Sequence, residues 1–140
     1  MNAKNYLNQL RTLEMTIAAR KAEVERLKAE RTYLKGVSYD GDRVQSSGSP
    51  GAQFERIADI IADTERNVVE LAEKRHRIIT EIDGLEKPEY VEILQLRYLE
   101  RQRFESIACT MGYTYSWTVQ LHGIALQAFA KKYLSGANSE

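Results

Sequence analysis

The chain has 140 residues, of which 43% are apolar and 29% are charged, and its 20 basic and 20 acidic side chains cancel to a net charge of zero. This length suits one compact domain or two very small ones. A neutral chain is not one that binds nucleic acid simply by being basic overall, so any such binding must be local. No apolar run approaches the roughly 18 residues of a membrane span, and the first residues are too polar for a secretory signal. We therefore expect a cytoplasmic protein.

Few residues suggest metal binding or catalysis. The one cysteine, Cys109, excludes an intramolecular disulfide, and the two histidines, His76 and His122, have no recognisable metal-ligand spacing. Nucleophile elbows, phosphate-cradling glycine loops and zinc-protease motifs do not occur. We expect no metal, no cofactor and no catalytic residue, and hence a protein that is not an enzyme.

The first long segment has apolar residues that alternate at spacings of four and three, which is the heptad pattern of a coiled coil. Charged residues fill the positions between them, as on a solvated helix face. The pattern predicts a helix over about residues 4–35. The seam positions are Tyr6, Leu10, Leu13, Ile17, Arg20, Val24, Leu27, Arg31 and Leu34.

Residues 36–53 contain four of the eight glycines and Pro50, and they predict a flexible loop. The heptad pattern then resumes in a second helix, at Phe54, Ile57, Ile61, Thr64, Val68, Leu71, Arg75, Ile78, Ile82 and Leu85. The two seams match layer by layer when paired residue numbers add to 88. Residues 1–87 are thus predicted to form a long antiparallel helical hairpin. Its further apolar residues exceed what one hairpin partner can cover, so we expect a homodimer formed through the hairpin.

Pro88 marks the start of a second predicted unit, residues 88–134, because proline suits the first turn of a new helix. A short helix is expected over residues 104–111 and a longer one over 114–134. Residues 135–140 are expected to be a disordered tail. The chain is therefore predicted to be all-α.

The junction between these two helices has the residues of a tight turn. Gly112 lies where a helix ends in left-handed geometry, and Thr114 is a suitable N-cap for the next helix. Ala108 is small enough to let the two helices cross closely. These features predict a helix-turn-helix, although three short helices in a generic bundle would share them.

Four segments of this unit carry a resemblance: LRYL at residues 96–99, FESIA at 104–108, MGYT at 111–114 and LHGIAL at 121–126. They resemble region 4 of sigma-70-type factors and, more closely, the small phage and prophage regulators of Gram-positive bacteria related to the ArpU and RinA late-gene activators. In that group a helical hairpin precedes the sigma-like segment, and GDRVQSS at 41–47 resembles a sequence seen in its loop. The resemblance implies sequence-specific binding of double-stranded DNA in transcription control, possible contact with RNA polymerase, and a recognition helix at about residues 114–134.

The candidate DNA-binding residues lie at the start of this recognition helix and just before the shorter helix. Ser116 and Gln120 are suited to base edges, and Tyr115 to a phosphate or a thymine methyl group. Gly123 within a helix costs roughly 1 kcal/mol relative to alanine, which suggests that a partner approaches the backbone there. His122 on the same helix is more often without a specific role. The full set is Arg101, Arg103, Thr114, Tyr115, Ser116, Val119, Gln120 and Gly123.

Two other interpretations remain open. Residues 88–134 have a net charge of only +1, which favours a protein-interaction module that binds RNA polymerase or another protein. Helical hairpins joined to a helix-turn-helix also occur in small terminase-like DNA-packaging subunits. DNA selection with random duplexes, combined with a light-scattering mass, separates the three interpretations.

Overall fold

A computed structural model describes residues 2–40 and 50–134, and in these residues the chain is helical without any β-strand. The all-α prediction is confirmed. The part of the chain that is described contains no helix with both the length and the apolar character needed to cross a membrane. The helices are α1 (Ala3–Asp40), α2 (Pro50–Asp83), α3 (Pro88–Leu94), α4 (Phe104–Met111) and α5 (Tyr115–Phe129), and π-helical turns at Gln95–Leu99 and Ala130–Leu134 extend α3 and α5.

The two long helices pack together and extend further than the sequence predicts. Helix α1 continues to Asp40, so residues 36–40 are helical rather than loop, and α2 already begins at Pro50. A single glycine inside a helix costs only about 1 kcal/mol, and proline suits a first helical turn, so neither residue prevents helix formation here. The predicted loop at 41–49 and the predicted tail at 135–140 lie outside the described residues.

Polar contacts between α1 and α2 fix their antiparallel register. One of them, the ion pair of Lys28 Nζ with Glu65 Oε2 at 3.5 Å, joins residues whose numbers add to 93. In the other three the two residue numbers add to 87 or 89, within one of the predicted sum of 88. These three contacts are Tyr6 Oη to Glu81 Oε1 at 2.6 Å, Arg75 Nη2 to Glu14 Oε2 at 2.9 Å, and Arg20 Nε to Asn67 Oδ1 at 3.3 Å.

The chain divides into two compact units, but not at the boundary that the sequence predicts. One unit comprises Met1–Glu14 together with Lys74–Glu140, and the other comprises Met15–Glu73. The first unit includes the ends of both long helices because these ends pack on the C-terminal helices. The Tyr6 ring of α1, for example, lies 5.7 Å from the Phe129 ring of α5, between centroids.

The first unit holds most of the core. Its fully buried aliphatic side chains come from α1, α2, α3, α4 and α5, and burying each contributes roughly 1.5 to 3 kcal/mol. Gly84 follows the end of α2, and a Cβ there would come too close to the hydroxyl of Tyr133, so the Tyr133 side chain would have to shift. The fully buried residues include Leu7, Leu10, Ile78, Ile82, Ile93, Leu94, Ile107, Leu121 and Phe129.

The second unit is a two-helix segment with less complete burial. Ile61 is 3% exposed, whereas its predicted seam partner Leu27 is half-buried. Four large hydrophobic side chains described in this unit remain in solvent: Met15 at 59%, Tyr33 at 70%, Ile60 at 49% and Val69 at 56% exposure. Two helices alone therefore leave several large apolar side chains uncovered in this unit.

Candidate nucleic-acid interface

The turn between α4 and α5 forms as the sequence predicts. Gly112 has φ +74°, in the left-handed region, and the amide of Tyr113 donates to the carbonyl of Ala108 at 3.0 Å. Thr114 caps α5, since its Oγ1 accepts from the amide of Trp117 at 3.1 Å. The left-handed glycine and the threonine cap satisfy backbone groups that the two helix ends would otherwise leave unpaired. Ala108, at 7% exposure, lies in the packed face of α4.

Helix α5 is fixed by one buried face. Leu121, Ala125 and Phe129 lie on it at a spacing of four residues, and all three are almost completely buried. Thr118 precedes them where an aliphatic residue would be usual, and it is also fully buried. Its hydroxyl donates to the carbonyl of Thr114 at 2.8 Å, so the polar group is satisfied within the helix.

His122 belongs to the core rather than to the exposed surface. Its Nε2 lies 2.8 Å from the hydroxyl of Tyr98 in a buried hydrogen bond, and its ring packs edge-on against Phe104 at 5.0 Å. Burial, together with the positive charges of Arg97 and Lys4, lowers the pKa of His122 to about 4. The ring is therefore neutral at pH 7 and is not a cationic phosphate contact.

The opposite face of α5 carries the predicted contact residues. Thr114, Tyr115, Ser116, Val119, Gln120 and Gly123 are all exposed. The spacing of Ser116, Val119, Gln120 and Gly123 places these four residues on one side of the helix. A Cβ built on Gly123 would meet no atom within 4 Å, so nothing in the fold requires glycine at this position.

The two predicted arginines lie in different environments. Arg101 adopts a left-handed backbone conformation (φ +56°), and its Nη2 donates to Glu14 Oε1 of α1 at 2.7 Å. The same carboxylate accepts from Arg75 of α2. Arg103 has 86% of its side chain exposed, and its nearest ionic partner, Glu105, is 3.9 Å away. Arg101 is thus held by an internal ion pair, whereas Arg103 extends into solvent.

Two further residues belong to the exposed surface near the start of α5 but are absent from the predicted contact set. Tyr113 and Ile124 are each 38% exposed, close to the exposure of Trp117 at 40%. A signal for this surface is present in the sequence, because residues 106–130 contain no aspartate, glutamate, lysine or arginine. We call residues 106–130 the uncharged run. The uncharged run includes all of α5, so the exposed side of this helix has no aspartate, glutamate, lysine or arginine, just like its buried side. This is unusual in a chain of which 29% of the residues are charged.

Comparisons with protein-family models, with curated proteins and with solved structures found no match to this chain. Among the described residues, no three histidine, cysteine or acidic side chains are grouped so as to hold a metal ion. The functional interpretation therefore depends on the geometry of α4 and α5 and on the residues that they expose.

Proposed function

We propose that the protein is a sequence-specific DNA-binding transcriptional regulator of the phage or prophage type, and that α5 is its recognition helix. The observation that carries this proposal is the exposed row of Ser116, Val119, Gln120 and Gly123 on a helix that is capped and anchored by its other face. A recognition helix needs such an arrangement, because its first turns must reach base edges while its buried face keeps the helix in place.

The exposed side chains favour A·T base pairs over G·C pairs. Gln120 has the amide geometry that pairs with the N6 and N7 atoms of adenine. Val119 offers an apolar contact for the methyl group of thymine, and Ser116 can hydrogen-bond to either base type. Guanine is most often read by arginine or lysine, and the uncharged run contains neither.

The same lack of charge limits non-specific affinity. Each phosphate that a protein neutralises contributes about −0.9 to the slope of log affinity against log salt concentration. Arg103 is exposed and can reach a phosphate, and it is one of few basic residues near α5. We therefore propose shallow salt dependence and affinity that depends strongly on base contacts.

We further propose that two chains associate through the hairpin. Met15 on α1 and Ile60 and Val69 on α2 are large apolar side chains exposed to solvent, and association with a second copy would bury part of this apolar area. Two recognition helices in one dimer would bind a two-fold site with an increased effective concentration.

The test is a selection from random duplexes, followed by titration of the selected site with Trp117 emission as the readout. Gln120→Ala should weaken the selected site by about 1 to 3 kcal/mol while non-specific binding stays nearly constant. Gln127→Ala is the matched control, because Gln127 is an exposed glutamine on the same helix, two turns further from its N-terminus. Equal losses on all sequences, or no change in Trp117 emission at saturating duplex, would count against a base-reading helix.

One observation favours a second candidate, a protein-interaction module that binds RNA polymerase or another protein. Tyr113, Tyr115, Trp117, Val119 and Ile124 are all at least 38% exposed around an uncharged helix. Exposed aromatic residues without charge are typical of protein interfaces. If the protein is folded and helical but selects no duplex, the protein-interaction module becomes the better proposal.

A further inference from the structure

A small cavity lies between the start of α1 and the π-helical turn that follows α3, within the first compact unit. Its volume is about 190 Å³, which is below the roughly 300 to 1,000 Å³ of sites for drug-sized ligands. Three of its lining residues are arginines and none of those described is acidic. The lining residues are Leu7, Asn8, Arg11, Arg97, Tyr98 and Arg101.

The three guanidinium groups retain many unused donors. Arg97 donates from Nη1 to the carbonyl of Gln102 at 2.9 Å, and its guanidinium lies 4.1 Å from the centre of the Phe104 ring, so its position is fixed. Arg101 is fixed by Glu14 through Nη2. Arg11 makes no hydrogen bond or ion pair with any residue in 2–40 or 50–134. Because each guanidinium has five N–H donors, most of the donors in this group remain available.

Positive charge exceeds negative charge around the cavity. Glu14, the acid paired with Arg101, is shared with Arg75, so one carboxylate balances two guanidiniums. Burial is the main cause of the lowered pKa of His122, and the positive charges of Arg97 and Lys4 lower it further. The arginines would therefore attract an anion that enters the cavity, and no acidic side chain is among the described lining residues.

The geometry points to a binding site for a phosphate group in this cavity, with Arg11, Arg97 and Arg101 as its ligands and Asn8 as an additional amide donor. Phosphate fits the donor set better than a carboxylate, because it presents more acceptor oxygens to several guanidinium forks. The phosphate can belong to a free ion or nucleotide, or to a nucleic-acid backbone. The site is built from α1 and the residues after α3, so its existence does not depend on base reading by α5.

The direct test is calorimetric titration of the full chain with inorganic phosphate at constant ionic strength. We expect saturable binding of one phosphate per chain and none with acetate. Arg11→Gln should lower the phosphate affinity at least tenfold and leave the melting temperature without phosphate unchanged, because Arg11 is exposed. Arg56→Gln is the matched control: Arg56 is an exposed arginine of α2 in the other compact unit, and its loss should not alter phosphate binding.

Asn8→Ala is a second variant at the cavity, at another exposed position, and it should also weaken phosphate binding. Absence of saturable phosphate binding, or equal affinities in wild type and Arg11→Gln, would overturn the proposal, as would equal binding of acetate and phosphate. Titration with phosphate in the presence of saturating selected duplex distinguishes a backbone phosphate from a free phosphate or nucleotide as the natural ligand. Competition identifies a backbone phosphate, whereas unchanged affinity identifies a free phosphate or nucleotide. A chain that binds phosphate but no duplex would refute the proposed DNA-binding function alone.

Discussion

The substitution Gly123→Ala tests whether glycine at this position is needed for the fold or for the binding of a partner. Alanine is favoured over glycine inside a helix by about 0.8 to 1 kcal/mol. The new Cβ meets no atom within 4 Å, so no steric cost offsets this gain. We expect the variant to be more stable by up to about 1 kcal/mol, which raises the melting temperature by roughly 2 to 4 °C in a protein of this size.

The same substitution should weaken DNA binding if α5 lies in a groove. A methyl group would then occupy space where a base or a sugar approaches the backbone, and we expect a loss of about tenfold, or about 1.4 kcal/mol. Gly36→Ala is the matched control. Gly36 also lies inside a helix with no atom near its Cβ position, but on α1, so its replacement should stabilise the protein without weakening DNA binding.

Thermal melting followed by circular dichroism gives the stability of both variants, and titration of the selected duplex gives their affinities. Higher stability combined with unchanged affinity would refute the inference that a partner approaches Gly123. A loss of stability in Gly123→Ala would refute the inference that Gly123 lies inside a helix with free space around its Cβ position.

Three further predictions concern the core and the assembly. The unfolded chain protonates His122 near its ordinary pKa of 6.5 and the folded chain only near 4, so the unfolding free energy should fall by up to about 3 kcal/mol as the pH drops through this range. Urea titrations at several pH values should show a smaller fall in unfolding free energy for His122→Gln than for wild type, and the same fall for the control His76→Gln as for wild type. Identical pH dependence in wild type and both variants would contradict this prediction. Ile61→Ala should lower the free energy of unfolding by about 2 to 4 kcal/mol in urea titrations, and Leu27→Ala should lower it by about half as much because Leu27 is only half-buried. Equal losses in the two variants would argue against this difference in packing. Ile60→Glu should convert a dimer into a monomer by light scattering at tens of micromolar, and a monomeric wild type would exclude the proposed assembly.

The periodic parts of the fold could be predicted from the sequence because their signals are local. Heptad spacing located both long helices, and the predicted pairing sum agrees to within one residue with three of the polar contacts between them. Gly112 and Thr114 have the roles that their conformational preferences predict. The ends of the long helices were less predictable, because a glycine or a proline weakens a helix by an amount that neighbouring turns can offset.

Features that depend on distant contacts could not be predicted. The sequence contains nothing near His122 to show that Tyr98 would bind its ring, or that Phe104 would pack against it. Arg101 is held by Glu14, which is 87 residues away in the chain, and no local pattern indicates this ion pair. The cavity lined by Arg11, Arg97 and Arg101 likewise joins residues that are far apart in the sequence, so no local pattern could indicate it.

The division of the chain follows from the same long-range contacts. Pro88 does begin a helix, yet the compact unit that contains α3, α4 and α5 also has Leu7 and Leu10 from α1 and Ile78 and Ile82 from α2 in its core. A segment of short helices has little apolar area of its own to bury, and small domains are marginal for this reason. The ends of the long helices supply the missing apolar area, and Glu14 joins α1, α2 and the connection before α4 through Arg75 and Arg101. The hairpin ends thus act as part of the scaffold that holds α5.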